Sequence, residues 1–273
     1  MKRALVTGSN GFIGSHLVEE LLSADYDVTC LVRKTSDLRW IEKLPIKLYY
    51  GDFNEPSSLI NAVKNQDYIF HVAGITKAKT KNLYYKINVG HTRTLINLIK
   101  RYNSNLQKFV FVSTQAASGQ AQGKCRKKES EPDNPITYYG MSKKSAEMMI
   151  QKVTEFNWTI IRPAGVYGPR DNDFYQYFKL VNMHFAPISG IKNKYFSLIY
   201  VKDLVRLIKM SAESDNACNK IFFACDDNIY IWQDFISVLK KTMNKKALSF
   251  IVPDILVYPI AICNEFRSLL HQE

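Results

Sequence analysis

The feature that most constrains this chain is the turn Gly8-Ser9-Asn10-Gly11-Phe12-Ile13-Gly14, which follows the apolar run Ala4, Leu5, Val6 and opens a helical pattern. The three glycines have separate tasks in such a turn. One permits the tight bend, one lets the backbone approach a pyrophosphate, and one lets the following helix pack on the strand. Because Phe12, Ile13, Leu17, Val18 and Leu21 recur at helical spacing, strand, turn and helix stand in the order that dinucleotide binding requires. Amides at the start of that helix are suited to hold phosphates. Asn10, Phe12 and Ile13 therefore join Gly8, Gly11 and Gly14 in the candidate cofactor turn.

Strand-like and helix-like segments alternate beyond it. Residues 2–7, 27–32, 46–50, 67–72, 108–113 and 158–162 read as strands; 12–24, 56–64, 82–102 and 137–155 read as helices. This alternation predicts an α/β fold, a doubly wound parallel-sheet Rossmann architecture with helices on both faces. After Pro163 the pattern becomes irregular, with Pro169, Pro187 and Gly190 between short elements, and 194–199 and 201–211 read as a strand and a helix rejoining the sheet. The expected organisation is a dinucleotide-binding core over 1–163, rejoined by about 194–224, with 164–193 and 225–273 forming a small C-terminal substrate lobe.

A length of 273 residues and a hydrophobic content of 46% are ample for such a core. The five cysteines (Cys30, Cys125, Cys218, Cys225, Cys263) are scattered and form no Cys-x-x-Cys pair or Cys/His cluster, so no disulfide frame and no metal site are expected. Met1, Lys2 and Arg3 lead directly into the first strand without a cleavable apolar segment, which predicts a reducing, cytoplasmic setting. The apolar stretch from Phe250 to Cys263 is interrupted by Pro253, Asp254 and Pro259, too short to span a bilayer, and reads as a packed helix of the lobe in preference to a membrane-surface helix. The net charge of +12 favours anionic ligands such as cofactor phosphates or nucleotide sugars. Lys240, Lys241, Lys245 and Lys246 fit a solvated helix end, and no nucleic-acid-binding motif accompanies the charge, so no nucleic-acid partner is expected.

The second strand ends in Leu31-Val32-Arg33-Lys34, where a carboxylate would receive the ribose hydroxyls of NAD. An arginine can pair instead with a 2′-phosphate, so NADP is the preferred cofactor and NAD the alternative; Arg33 and Lys34 pointing only into water is the other reading.

Tyr139 and Lys143 are one helical turn apart and project from one face. A phenol titrates near 10, and an adjacent ammonium favours its ionised form, so the pair can take a proton from a hydroxyl or return one to a ketone. Tyr138 is the decoy, because Ser142 and not a cation follows it by four residues. His71, alone at a strand end, reads as a structural hydrogen-bonding residue and not a catalytic base.

These motifs resemble the extended short-chain dehydrogenase/reductases, also called the NAD-dependent epimerase/dehydratase family, across most of the chain. In that resemblance Gly51, Asp52 and Phe53 stand at the strand end that meets adenine, and His71, Val72, Ala73 and Gly74 form the wall beside the nicotinamide ribose. Asn88 is a structural asparagine, Ser113 and Thr114 precede the Tyr139-to-Lys143 element, and Arg162, Pro163 and Val166 to Pro169 are similar to the nicotinamide-side loop. Val201 to Leu204 is similar to the helix start that follows. The resemblance implies Thr114 as the hydroxyl that bonds the reacting oxygen, with Ser113 a weaker substitute, Tyr139 as acid/base, and Lys143 as ribose anchor and electrostatic partner. Cofactor contacts are implied for Arg33, Asp52, Phe53, Ala73, Gly74, Asn88, Ser113, Lys143, Pro163 and Val166.

Family dehydratases carry an Asp-Glu pair after the threonine, and this chain has Gln115-Ala116 there, so dehydration is the least expected activity. Epimerisation or keto-sugar redox on a nucleotide-linked sugar is the leading reading. The alternative is an NADP-dependent reductase of a hydrophobic ketone, similar to dihydroflavonol reductases and 3β-hydroxysteroid dehydrogenases; a further one is a non-catalytic dinucleotide sensor. The basic loop Gly123 to Lys128 and Lys77, Lys79 and Lys81 could attract a diphosphate or simply be solvated. Extended members continue further beyond the position of Val252, so ending at Glu273 implies an open pocket or a truncated product. The family also implies a homodimer through the helices at about 82–102 and 137–155, where Leu95, Leu98, Ile99, Met148 and Met149 offer apolar surface, although core packing could use the same residues.

Overall fold

The computed structural model describes residues 1–121, 125–189 and 195–252. Two compact units are present, Met1–Val166 with Ile199–Cys225 and Tyr167–Leu198 with Asp226–Glu273.

In the first unit, the strands β1 (Lys2–Thr7), β2 (Tyr26–Val32), β3 (Lys47–Tyr50), β4 (Tyr68–His71), β5 (Lys108–Val112) and β6 (Trp158–Pro163) alternate with helices. The helices are α1 (Phe12–Ser23), α2 (Ile60–Val63), α3 (Lys81–Tyr84), α4 (Thr92–Tyr102) and α5 (Tyr138–Ile150). The chain continues through β7 (Gly165–Tyr167), α6 (Asp173–Asn182), β8 (Phe185–Ser189), β9 (Tyr195–Phe196) and β10 (Leu198–Tyr200). It then forms α7 (Val201–Glu213), β11 (Lys220–Ala224), β12 (Tyr230–Ile231), α8 (Trp232–Thr242) and β13 (Leu248–Val252).

The described residues form a seven-stranded sheet of order β11-β6-β5-β4-β1-β2-β3, and every neighbouring pair in it is parallel. This is the Rossmann architecture the alternation predicts. A parallel sheet is buried on both faces, so its strands are apolar throughout, and the pleat sends alternate residues to two cores. Ala4, Val6, Phe70, Val110 and Ile161 pack on one side with Leu17, Leu21, Leu204 and Ile208. Their neighbours Leu5, Ile69, Phe109, Phe111 and Ile160 pack on the other with Leu95, Ile99, Ala146 and Ile150. Chain order reverses between β1 and β4, which opens the crevice beyond their carboxyl ends where such folds bind ligands.

Two helical expectations need correction. The helix read at 56–64 is a 3₁₀ turn, Pro56–Leu59, followed by one turn of α2. The long helix read at 82–102 is α3, then a π-helix over Tyr85–His91, then α4. The wide turn coincides with Asn88, whose side chain bonds outside the helix while its carbonyl accepts from the Thr92 hydroxyl at 2.7 Å. Leu95, Leu98 and Ile99, read as possible apolar surface, are buried in the core because α4 lays its amphipathic face on the sheet; Met148 remains exposed on α5.

In the second unit, β8 and β13 pair in parallel, and β9 pairs antiparallel with β12. Phe174, Tyr177, Phe196, Trp232 and Phe235 form a continuous cluster of ring contacts. The segment read as a strand at 194–199 is divided between β9 and β10, with residue 194 outside the described range. Phe250, Ile251 and Val252 belong to β13 and not to a helix, because they take up the β8 ladder; the rest of the stretch to Cys263 lies outside the described residues.

Leu5 is fully buried in the middle of β1, between the strands that carry the crevice. Leu5→Ala is expected to cost about 2–5 kcal/mol through lost burial and the cavity left behind. A denaturant midpoint unchanged from the parent would contradict this placement.

Candidate active site

The crevice is built first from close backbone approach. Gly8 adopts φ +69°, and a Cβ there would lie 2.7 Å from the Ala73 nitrogen. A Cβ on Gly14 would lie 2.0 Å from the Gly8 carbonyl oxygen. Only glycine fits either position. Gly11, the residue before α1, offers no side-chain cap, so the first amides of the helix are left for a ligand. The chemistry of this cradle fits a dinucleotide pyrophosphate. Phe12 lies edge-on to His16 at 5.8 Å, Ile13 packs on the core, and the Asn10 amide reaches the Asp37 carbonyl at 3.2 Å.

His71 ties the crevice walls together. It is buried, with Nδ1 2.7 Å from Thr7 Oγ1 and Nε2 2.9 Å from Thr92 Oγ1. The Thr92 hydroxyl donates to the Asn88 carbonyl, so it can only accept from His71, which assigns the proton to Nε2 and makes Nδ1 an acceptor of the Thr7 hydroxyl. Thr7 Oγ1 in turn accepts the Ala73 N–H at 3.3 Å. Burial, and then the cationic Lys143, hold the His71 pKa well below its ordinary value, so the ring is neutral. It serves as a strut.

Asn88 performs the second tie. Its carbonyl oxygen accepts the Ile75 N–H at 2.9 Å, while its amide donates to the Ile75 carbonyl at 3.1 Å and to Ser142 Oγ at 3.0 Å. The loop holding Ala73 and Gly74 is thereby pinned to α5.

On α5, Thr137 caps the helix through the Gly140 N–H. Tyr139 and Lys143 then emerge on one face, as their spacing predicts. Tyr139 lies 6.2 Å from the Tyr84 ring. The Thr114 side chain accepts the Ala116 N–H at 3.2 Å. Burial pushes the Tyr139 pKa up, and the nearby Thr114 side chain opposes that rise. Tyr138 is 55% exposed and faces Lys81, so it has no place in the crevice. Lys143 is buried, donates to the Val112 carbonyl at 2.7 Å, and lies over the Phe111 ring at 4.1 Å. Burial pushes its pKa down to about 7, against the pull of Glu147.

Behind this face is an ionic network that sequence reasoning did not find. Glu147 is fully buried and accepts from Ser113 Oγ at 2.5 Å and from Arg162 Nε and Nη2 at 3.0 and 2.7 Å. Arg162 also donates to both Asp133 oxygens, at 2.9 and 2.7 Å, and Lys144 pairs with Asp133. Burial would raise the Asp133 pKa, but Arg162 and Lys144 outweigh it and hold the carboxyl at about 2. Ser113, expected at the cofactor, thus commits its hydroxyl to Glu147. The available signal was Glu147 standing four residues after Lys143, on the same helical face.

The remaining candidates lie nearby or apart. Phe53 stacks on His91 at 4.6 Å, and Asp52 accepts the Asn54 N–H at 2.7 Å. Arg33 and Lys34 are exposed after β2. Pro163 ends β6, and Val166 packs on the core. Gly123 and Lys124 of the basic loop lie outside the described residues; Lys127 donates to the Ser118 carbonyl at 2.6 Å, so it is spent on the fold. Lys77, Lys79 and Lys81 are exposed. Among the described residues no cluster of three metal-binding side chains occurs.

Two outcomes follow from this geometry. Tyr139→Phe is expected to lower turnover at least about a hundredfold, the usual scale of general acid/base catalysis, while Tyr138→Phe leaves it near normal; equal effects in a steady-state assay would refute the assignment. The folded Lys143 amine titrates near 7 and the unfolded one at its ordinary 10.5. Between those values the unfolded chain holds the extra proton, so stability of the cofactor-free protein rises with pH from about 7 upward. Lys143→Met should remove that increment, as denaturant melts at stepped pH would show.

Comparison with known proteins agrees with the architecture. The NAD-dependent epimerase/dehydratase family model matches residues 4–224. UDP-glucose 4-epimerase of Vibrio cholerae is 28% identical over 92% of this chain and 79% of its own length. The decarboxylating sterol-4-alpha-carboxylate 3-dehydrogenase of Dictyostelium discoideum is 25% identical over 96% of this chain and 82% of its own. The crystal structure of UDP-glucose 4-epimerase from Thermotoga maritima with UDP-glucose superposes with a TM-score of 0.83 at 23% identity, covering 92% of this chain and 85% of that one, which is a likeness of fold. With the glycine cradle, the Tyr139/Lys143 face and a family match over most of its length, the chain belongs to the NAD-dependent epimerase/dehydratase family and is an enzyme of the extended short-chain dehydrogenase/reductase type.

Proposed function

We propose that the chain interconverts a secondary alcohol and a ketone on a nucleotide-linked sugar, as an epimerase or keto-sugar reductase. The observation that carries this reading is that Tyr139 and a buried Lys143, which donates to the Val112 carbonyl, share one face of α5. When bound, the nicotinamide supplies or accepts the hydride. Thr114 would hold the reacting oxygen by hydrogen bonding. Tyr139 would take the hydroxyl proton, or return it to the ketone oxygen, with Lys143 offsetting the phenolate charge. Lys143 would also anchor the ribose, beside Gly74 and Asn88, while Gly8 to Gly14 receive the pyrophosphate. Asp52 and Phe53 would meet the adenine. The absence of an acid pair at Gln115-Ala116 supports redox or epimerisation over dehydration.

Exposed Arg33 just after β2 supports NADP over NAD, since a guanidinium can pair with a 2′-phosphate. In this reading residues 164–193 and 225–273 form the substrate lobe, and Met148 and Met149 contribute to a homodimer. The setting is cytoplasmic; among the described residues no helix is long and apolar enough to cross a membrane. The sterol dehydrogenase of Dictyostelium discoideum supports a second reading, an NADP-dependent reductase of an apolar ketone.

Mass spectrometry of small molecules retained through native purification, with turnover assays on UDP- and dTDP-sugars against apolar ketones, tests these readings together. Hydride transfer to a sugar nucleotide is the expected result; activity on apolar ketones alone would select the second reading, and none on either would leave a silent dinucleotide sensor. Arg33→Asp is expected to shift the NADP/NAD preference toward NAD by at least about tenfold, the scale of one charge-assisted contact. An unchanged ratio in binding titrations would remove the NADP assignment.

A further inference from the structure

The glycine turn stands beyond β1, with β4 and β5 on one side of it in the sheet and β2 and β3 on the other. Lys143 donates to the Val112 carbonyl at the end of β5, so the Tyr139/Lys143 face belongs to the first side. A dinucleotide with its pyrophosphate on the turn and its nicotinamide toward that face extends its adenosine to the opposite end of the crevice. Arg33 follows β2 there, and Asp52 and Phe53 follow β3.

His91, the last residue of the π-helix, meets them from the far side of β4. Its ring lies on that of Phe53 with centroids 4.6 Å apart and planes 7° from parallel. Phe53 also lies tilted against His71 at 6.1 Å, and His71 is itself held at both nitrogens by Thr7 and Thr92. Phe53 and His91 are both half-buried, so part of each ring remains exposed. Burial, with Lys86 and Arg33, lowers the His91 pKa against the pull of Asp52, and the imidazole stacks as a neutral ring. A pair of rings seated against a third, buried one is fixed in plane before any ligand arrives. Such a wall suits a flat heterocycle, because the cost of ordering it is already met by the fold. An aliphatic side chain at residue 91 would cover Phe53 without setting its plane.

We infer, on the reading that Asp52 and Phe53 meet the adenine, that His91 is a positioning residue for that base: by stacking on Phe53 it makes the two rings one rigid aromatic wall of the adenine site. It acts through Phe53 and takes no part in proton or hydride transfer. Because the wall meets the base and not the 2′-phosphate, its contribution is the same for NAD and NADP.

Calorimetric titration of the full chain, stripped of bound nucleotide, with 5′-AMP, 2′,5′-ADP, NAD and NADP tests this. His91→Leu is expected to weaken all four about three- to tenfold, the scale of one aromatic pair. His91→Phe, which keeps a ring to stack, should hold every affinity within about twofold of the parent. The contrast between these two variants separates the ring from mere filling of space. The His91→Leu loss should be equal for 5′-AMP and 2′,5′-ADP, whereas Arg33→Asp changes their ratio. Unchanged affinities in His91→Leu, equal losses in the leucine and phenylalanine variants, or a loss confined to the 2′-phosphorylated ligands would each overturn the inference while leaving the cofactor reading in place. A parent chain that binds none of the four would overturn the cofactor reading itself, and the role of His91 with it.

Discussion

The close approach of the Gly8 turn to the Ala73 loop is the constraint on which the rest of the crevice depends. β1 and β4 lie side by side with Thr7 opposite His71, and the gap beyond their ends is too narrow for a side chain at residue 8. Closing it requires that the polar groups of both strand ends be satisfied without water. The chain from the Ala73 N–H through Thr7, His71 and Thr92 to the Asn88 carbonyl does this with each member donating once. It also fixes the tautomer of His71, and a neutral ring is the form that such burial beside Lys143 permits.

The same economy governs the Tyr139/Lys143 face of α5. Lys143 is held in an apolar setting by one carbonyl and an aromatic ring, which makes its proton comparatively easy to lose. Glu147 one turn away pulls the Lys143 pKa back up, and its own buried charge is met by Arg162 and Ser113. Breaking one partner of such a network leaves an uncompensated buried charge, at a cost of about 3–5 kcal/mol. The network therefore couples α5 to β6 and to the loop holding Asp133, and with them the position of Tyr139.

Much of this was legible in the chain. The glycine spacing, the apolar helix pattern after it and the Tyr139/Lys143 interval each depend on local periodicity, and local periodicity survives folding. The π-helix at Tyr85–His91 was not legible; it contains Asn88, whose side chain bonds to Ile75, thirteen residues earlier. Leu95, Leu98 and Ile99 looked equally fit for a surface or a core, since a helical stripe does not say what it faces. Asp133 could not be joined to Arg162 from spacing, because the partners are on a loop and a distant strand.

By itself the sequence determined the doubly wound sheet, the glycine turn between β1 and α1 and the placing of Tyr139 and Lys143 on one helical face, since strand and helix periods and glycine chemistry are written residue by residue. Tertiary structure alone decided the protonation of His71, the depressed pKa of Lys143 and the burial of Glu147. Those properties come from which distant groups exclude water around a side chain, and electrostatic strength depends on that exclusion more than on the side chain itself.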